Sequence, residues 1–146
     1  MYKPKYFKLH ELLPAQFYHQ NEYREDVLWW IFDPRLLWTI DQLRKIYGPL
    51  ICNTWQDGGP NPHQFRGWRP FDCDVGASLS QHKFGRAVDL VPVKISAEEI
   101  REDILGLQMG EPYKHITCIE ADVPWLHIDV RNWNRVKFGV KVVKRN

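Results

Sequence analysis

The sequence predicts an α+β domain, a small and mostly antiparallel sheet flanked by helices, on three observations. Apolar residues recur at helical spacing in the first third. Short β-branched and aromatic segments fill the remainder. No repeat or low-complexity tract interrupts the 146 residues, a length that suits one domain. The expected division is a mainly helical part over 1–48 and a core carrying the chemistry over 49–146. Glu25 to Phe32 is expected to be helical. The clearest helix follows Asp33-Pro34, where Asp caps and Pro suits the first turn. Leu36, Leu37, Ile40, Leu43 and Tyr47 then keep helical period until Gly48 stops it. Leu50–Trp55 reads as the first strand. Gln56 to Ser80, rich in Gly, Pro and Asp, is a long loop of the kind that is functional or flexible. Ala87–Pro92 is a strand, and Ser96 with Glu99 forms a capping box for a helix carrying Ile100 and Ile104. Ile116–Glu120 and Trp125–Arg131 pair as a hairpin over Ala121–Pro124, and Phe138–Val143 is a last strand.

Composition narrows the function classes. Apolar residues make up 44% and charged residues 26%, an ordinary globular balance. A net charge of +2 with no Lys/Arg run gives no footprint for nucleic acid. No apolar stretch suits a signal peptide or a membrane span, so synthesis in the cytoplasm is expected; a monomer is expected as well. Cys52, Cys73 and Cys118 are odd in number and widely spaced, as reduced thiols would be. Trp29, Trp30 and Trp38 lie on helical segments and are expected in the core. Phe84 is expected to pack and Arg86 to face solvent, with His63 and His115 structural or exposed.

Two segments carry chemistry. In Ser80-Gln81-His82-Lys83-Phe84-Gly85-Arg86-Ala87-Val88-Asp89, a His precedes a strand and a carboxylate follows on it, with small residues between that let the chain bend. Asp89 sits among Ala87, Val88, Leu90 and Val91, where a buried carboxylate needs a partner. In Trp125-Leu126-His127-Ile128-Asp129, His127 and Asp129 point to one face of a strand. Two imidazoles and a carboxylate from His82, Asp89 and His127 suit one zinc ion and leave a position for water, the mark of a catalytic site. Asp129 is placed to orient a ligand His through its other ring nitrogen.

These motifs, S-x-H-x-x-G-x-A-x-D followed by W-x-H-x-D, resemble the family of zinc D,D-carboxypeptidases, D-Ala-D-Ala dipeptidases and phage L-alanyl-D-glutamate endolysin peptidases. The hedgehog signalling domain shares that fold. The resemblance runs from about Leu50 to Arg131. It implies His82, Asp89 and His127 as zinc ligands and a peptide of bacterial peptidoglycan as substrate. It also implies a protein acting on the cell wall, in phage lysis or on a phage tail. The family's base is a Glu, usually three residues before the last His. Here that position is Pro124, so the base role falls to Glu120, near the place of the hedgehog-type Glu, with Asp122 as fallback. The family's upstream Arg, which binds carbonyl oxygen or substrate carboxylate, matches Arg69 in Gly67-Trp68-Arg69-Pro70, and Ser80 would hydrogen-bond near the ligands. Two other readings keep the metal. One is a binding module that has lost catalysis, as the shifted Glu permits. The other is a structural or virion-assembly domain, in which His115 or Cys118 closes the fourth position.

Overall fold

The computed structural model describes residues 1–145. The N-terminal third is helical: α1 (Ala15–Asn21), α2 (Glu25–Leu28) and α3 (Pro34–Tyr47), with 3-10 turns at Leu9–Glu11, Glu22–Arg24 and Trp29–Ile31. Asp33 caps α3 by accepting from Arg35 N–H at 2.9 Å. Gly48, at φ +80°, ends it. The face formed by Leu36, Leu37, Ile40 and Leu43 is fully buried, each such side chain contributing roughly 1.5–3 kcal/mol. α1 has no capping side chain or periodic apolar run, and the turn before it is capped only by Glu11, which accepts from the Lys8 N–H at 2.7 Å; the sequence pattern did not reveal them.

Five strands follow: β1 (Leu50–Ile51), β2 (Ala87–Pro92), then after α4 (Ala97–Gly106) β3 (Cys118–Ala121), β4 (Leu126–Asp129) and, beyond α5 (Arg135–Phe138), β5 (Lys141–Lys144). Their order is β1-β2-β4-β3-β5. β1–β2, β2–β4 and β3–β4 pair antiparallel, but β5 lies parallel to β3, so the sheet is mixed rather than mostly antiparallel. The reason is the stretch after β4: Phe138 belongs to α5, which Asn134 caps, and this crossover returns the chain in the direction of β3. The first strand is also shorter than expected. Asn53 and Trp55 leave the sheet to bond the Leu13 carbonyl instead.

The capping box of Ser96 and Glu99 starts α4, whose Ile100 and Ile104 are fully buried. Arg101, 5% exposed, donates from this helix to the carbonyls of Val123 at 3.0 Å and Trp125 at 2.8 Å. It thereby pins the β3–β4 turn. At the other end of the sheet, Gly85 (φ +67°) lets the chain before β2 lie against the helical third. A Cβ there would stand 1.9 Å from the Ile31 carbonyl oxygen. Trp29 is buried, whereas Trp30 is 70% exposed, because α2 gives way to a 3-10 turn that rotates it outward. Phe84 is 40% exposed and meets Phe71 edge-on, with the Arg86 guanidinium over its ring. Among the described residues no helix is long and apolar enough to cross a membrane.

Candidate metal centre

Strand register assembles the site. Asp89 on β2 lies directly opposite His127 on β4, and Ala87 lies opposite Asp129, so one face of two strands carries Asp89, His127 and Asp129. Cys118 on β3 also faces Asp129, which puts Glu120, two residues on, on that same face. His82 arrives from the 3-10 turn Gln81–Phe84 just before β2, a turn capped by Ser80, whose Oγ accepts from the His82 N–H. The donor atoms of His82, Asp89 and His127 all lie within 4.8 Å of one another and can hold a metal ion.

Each ring is oriented by its other nitrogen. His82 Nδ1 donates to the Gly67 carbonyl at 2.7 Å, which leaves Nε2 facing Asp89 Oδ2 at 3.3 Å. His127 Nε2 lies 3.0 Å from Asp129 Oδ2, which leaves Nδ1 facing Asp89 Oδ1 at 2.8 Å. Asp129 is fully buried and is gripped by Arg131 through Nε at 2.8 Å and a second guanidinium nitrogen at 2.5 Å. This chain of donor and acceptor is the usual support for a metal-ligating imidazole.

The electrostatics follow from burial and crowding. Burial favours the neutral acid at Asp89, but the His82 and His127 rings outweigh it and hold the carboxyl well below the usual range. Burial lowers His82 despite Asp89 beside it. Burial also disfavours charge on His127, yet hydrogen bonds to Asp129 and Asp89 prevail and push it up to about 9. Without a metal, Asp89 is therefore the anion that His127 and Arg69 neutralise.

The other candidate residues divide. Arg69 does come to the site, but it is spent on protein: it bonds the Phe65 carbonyl at 2.6 Å and Asp89 Oδ2 at 3.1 Å and is 9% exposed. Burial lowers its affinity for its proton. Glu120 lines the same cleft, a cavity of about 560 Å³ that also holds His82, Asp89 and His127 on its wall. Asp122 sits at φ 61° in the hairpin turn, exposed, with its carboxylate 3.5 Å from Lys144. His115 packs edge-on against Trp38, and the Cys118 thiol contacts the Ile119 carbonyl; neither belongs to the metal-capable group. All three cysteines are free. The sequence reading missed Arg131 as the clamp on Asp129, although an Arg two residues beyond a strand carboxylate was the available signal.

The long loop 56–80 is not loose. His63 accepts from Thr54 N–H, Arg66 accepts from Asp89 N–H, and His82 accepts from Arg69 N–H. Gly67 lies so close to the Leu12 carbonyl that a Cβ would stand 2.2 Å from its oxygen. The loop thus forms one wall of the cleft and delivers both Arg69 and the Gly67 carbonyl that orients His82. No family model, no curated protein and no solved structure matches this chain.

Proposed function

We propose that the chain is a zinc-dependent peptidase that hydrolyses peptide bonds of bacterial cell-wall peptidoglycan, of the D,D-carboxypeptidase or L,D-endopeptidase type. The observation that carries this reading is the convergence of His82, Asp89 and His127 on the wall of an open cleft that Glu120 shares. The donor set fits zinc: two imidazoles already oriented by Gly67 and Asp129, one anionic carboxylate, and no fourth protein donor in the group. The cell-wall substrate rests on the resemblance of the two motifs to the carboxypeptidase and endolysin family. That resemblance also suggests a role in phage lysis or on a phage tail.

When bound there, zinc supplies a Lewis acid that activates water and polarises an amide carbonyl. The chain's own residues do the rest. Glu120, with no ion-pair partner among the described residues, takes a proton from the attacking water and passes it to the departing amine. Arg69 and Asp89 hold each other in place, so the guanidinium supports the carboxylate ligand at the edge of the cleft.

The test is release of new amino termini from purified peptidoglycan by zinc-loaded protein, with chelated protein and Glu120→Gln run beside it. The wild type is expected to release them. Glu120→Gln should lose roughly 10²–10⁴-fold of the rate while keeping its zinc. Pro124, standing where the family usually places its Glu, favours a second reading, a domain that binds wall peptides without cutting them. Tight zinc binding without release from walls of either cross-link type would establish that second reading.

A further inference from the structure

Charge is unevenly placed along this chain. The stretch from Arg131 to Arg145 holds six of the twenty Lys and Arg residues and none of the eighteen Asp and Glu, so everything before it is net acidic. Two of the six cations are committed to protein: Arg131 clamps Asp129, and Arg135 donates to the carbonyls of Gln108, Tyr113 and Ile116. Lys137 and Lys141 meet only rings, with Nζ 5.1 Å from the Phe138 centroid and 4.8 Å from the Trp133 centroid. Lys144 lies 3.5 Å from Asp122, but both side chains are exposed and the pair is weakly held.

The same surface shows apolar side chains to water. On α5, Val136 is 98% exposed and Phe138 60%; Met109, on the loop after α4, is 95% exposed. Gln108 ties that loop to α5 and β5, because its carbonyl takes the Arg135 guanidinium and its Oε1 takes the Val140 N–H at 3.0 Å. Trp133 packs beside Phe138, 5.4 Å between ring centroids. Single exposed apolar residues are ordinary on a protein surface, but neighbouring ones set among cations mark an interaction site.

We infer that this surface docks on an anionic lipid bilayer, lying on it without spanning it. Lipid phosphates draw Lys137, Lys141 and Lys144, and the headgroup boundary covers Val136, Phe138 and Met109. Trp133 suits the same depth, where amphipathic rings collect. A soluble polyanion would satisfy the lysines and leave Met109 and Val136 in water. A second copy set face to face would oppose like charges with no acid between them. Val143 of β5 lines the metal cleft, so docking here sets that cleft a few residues from the bilayer. The inference uses neither the metal nor the peptidase reading.

The experiment is co-sedimentation of the full chain with vesicles of phosphatidylcholine alone and of phosphatidylcholine mixed equally with phosphatidylglycerol. Binding to the mixed vesicles and not to the neutral ones is expected. Raising salt from about 0.1 M to about 1 M, which shortens the screening length from about 10 Å to about 3 Å, should release most of the protein. Lys137→Ala and Lys141→Ala should each weaken binding about fivefold. Val136→Ser with Met109→Ser should weaken it at least about tenfold. All four side chains lie outside the core, so the fold is kept, and thermal melting checks it. Zinc-loaded and chelated protein should bind alike, so an inert response to peptidoglycan leaves this test unchanged. Failure to bind the mixed vesicles at low salt would overturn the inference, as would full binding by the Val136 and Met109 double variant. Tighter binding to soluble polyphosphate than to vesicles at equal phosphate would assign the surface to a polyanion instead. Self-association abolished by Val136→Ser, without vesicle binding, would assign it to a second copy.

Discussion

Asp129→Asn is the substitution that most sharply separates a prepared metal ligand from an incidental sheet histidine. Asp129 accepts four hydrogen bonds: Oδ1 takes Arg131 N–H and Nε, and Oδ2 takes Arg131's terminal nitrogen and His127 Nε2. An amide group must place its NH2 at one of these two positions. Placed at Oδ1, it meets two donors of Arg131, and neither can become an acceptor. Placed at Oδ2, it meets one donor of Arg131 and His127, whose ring can change tautomer. The second arrangement wins, and it leaves His127 Nε2 as acceptor with the proton on Nδ1. That proton then occupies the atom facing Asp89, the one needed for a metal. Loss of an outer partner of this kind lowers metal affinity about 10–100-fold, or roughly 1.4–2.8 kcal/mol. The fold should lose less than a fully buried ion pair would, about 1–3 kcal/mol, since Arg131 is 27% exposed and relaxes into water. Competition with a chromophoric chelator measures the affinity, and long-range proton–nitrogen correlation reads the His127 tautomer. Zinc affinity within twofold of wild type, with the tautomer unchanged, would refute this account of the site.

Four further outcomes follow from the same geometry. Zinc and a proton compete for His127 Nδ1, so zinc affinity should climb about tenfold per pH unit up to about 9 and then level off, measured by chelator competition between pH 6.5 and 10. For the metal-free protein the sign is opposite: a histidine raised from 6.5 to about 9 stabilises the fold fully below pH 6.5. That contribution, on the order of 3 kcal/mol, is lost as pH rises through 9, which thermal melting of chelated protein would show. Gly85→Ala sets a methyl against the Ile31 carbonyl in a left-handed backbone and should cost upward of about 3 kcal/mol in urea titration; a neutral result would mean that His82 is not held by this close approach. Arg101→Met should cost about 2–3 kcal/mol and slow peptide release, because the carbonyls of Val123 and Trp125 lose their donor and the turn before His127 loosens; unchanged stability would contradict the pinning role.

Local chemistry made much of the fold legible. The Asp33-Pro34 start, the Gly48 stop, the Ser96–Glu99 box and the full extent of β2 were all readable because each depends on residues adjacent in sequence. The direction of β5 was not, since a parallel return depends on the path through α5 rather than on the strand's own composition. α1 was invisible for a related reason: none of its residues is buried, so no apolar stripe marks it. At the site, the spacing within each motif placed His127 and Asp129 on one face, and the hairpin brought Glu120 to it. What spacing could not show is the company the side chains keep. Arg69 reads as a free guanidinium in sequence and as the partner of Asp89 in three dimensions, twenty residues away.

The most direct test of the central claim is zinc-edge X-ray absorption on the zinc-loaded protein, because it counts and identifies what surrounds the metal. The account predicts one tightly held ion with four light-atom neighbours at about 2.0–2.2 Å, two of them imidazole nitrogens, and no sulfur. A sulfur at about 2.3 Å, a third imidazole, or failure to retain zinc at all would contradict a catalytic centre built from His82, Asp89 and His127.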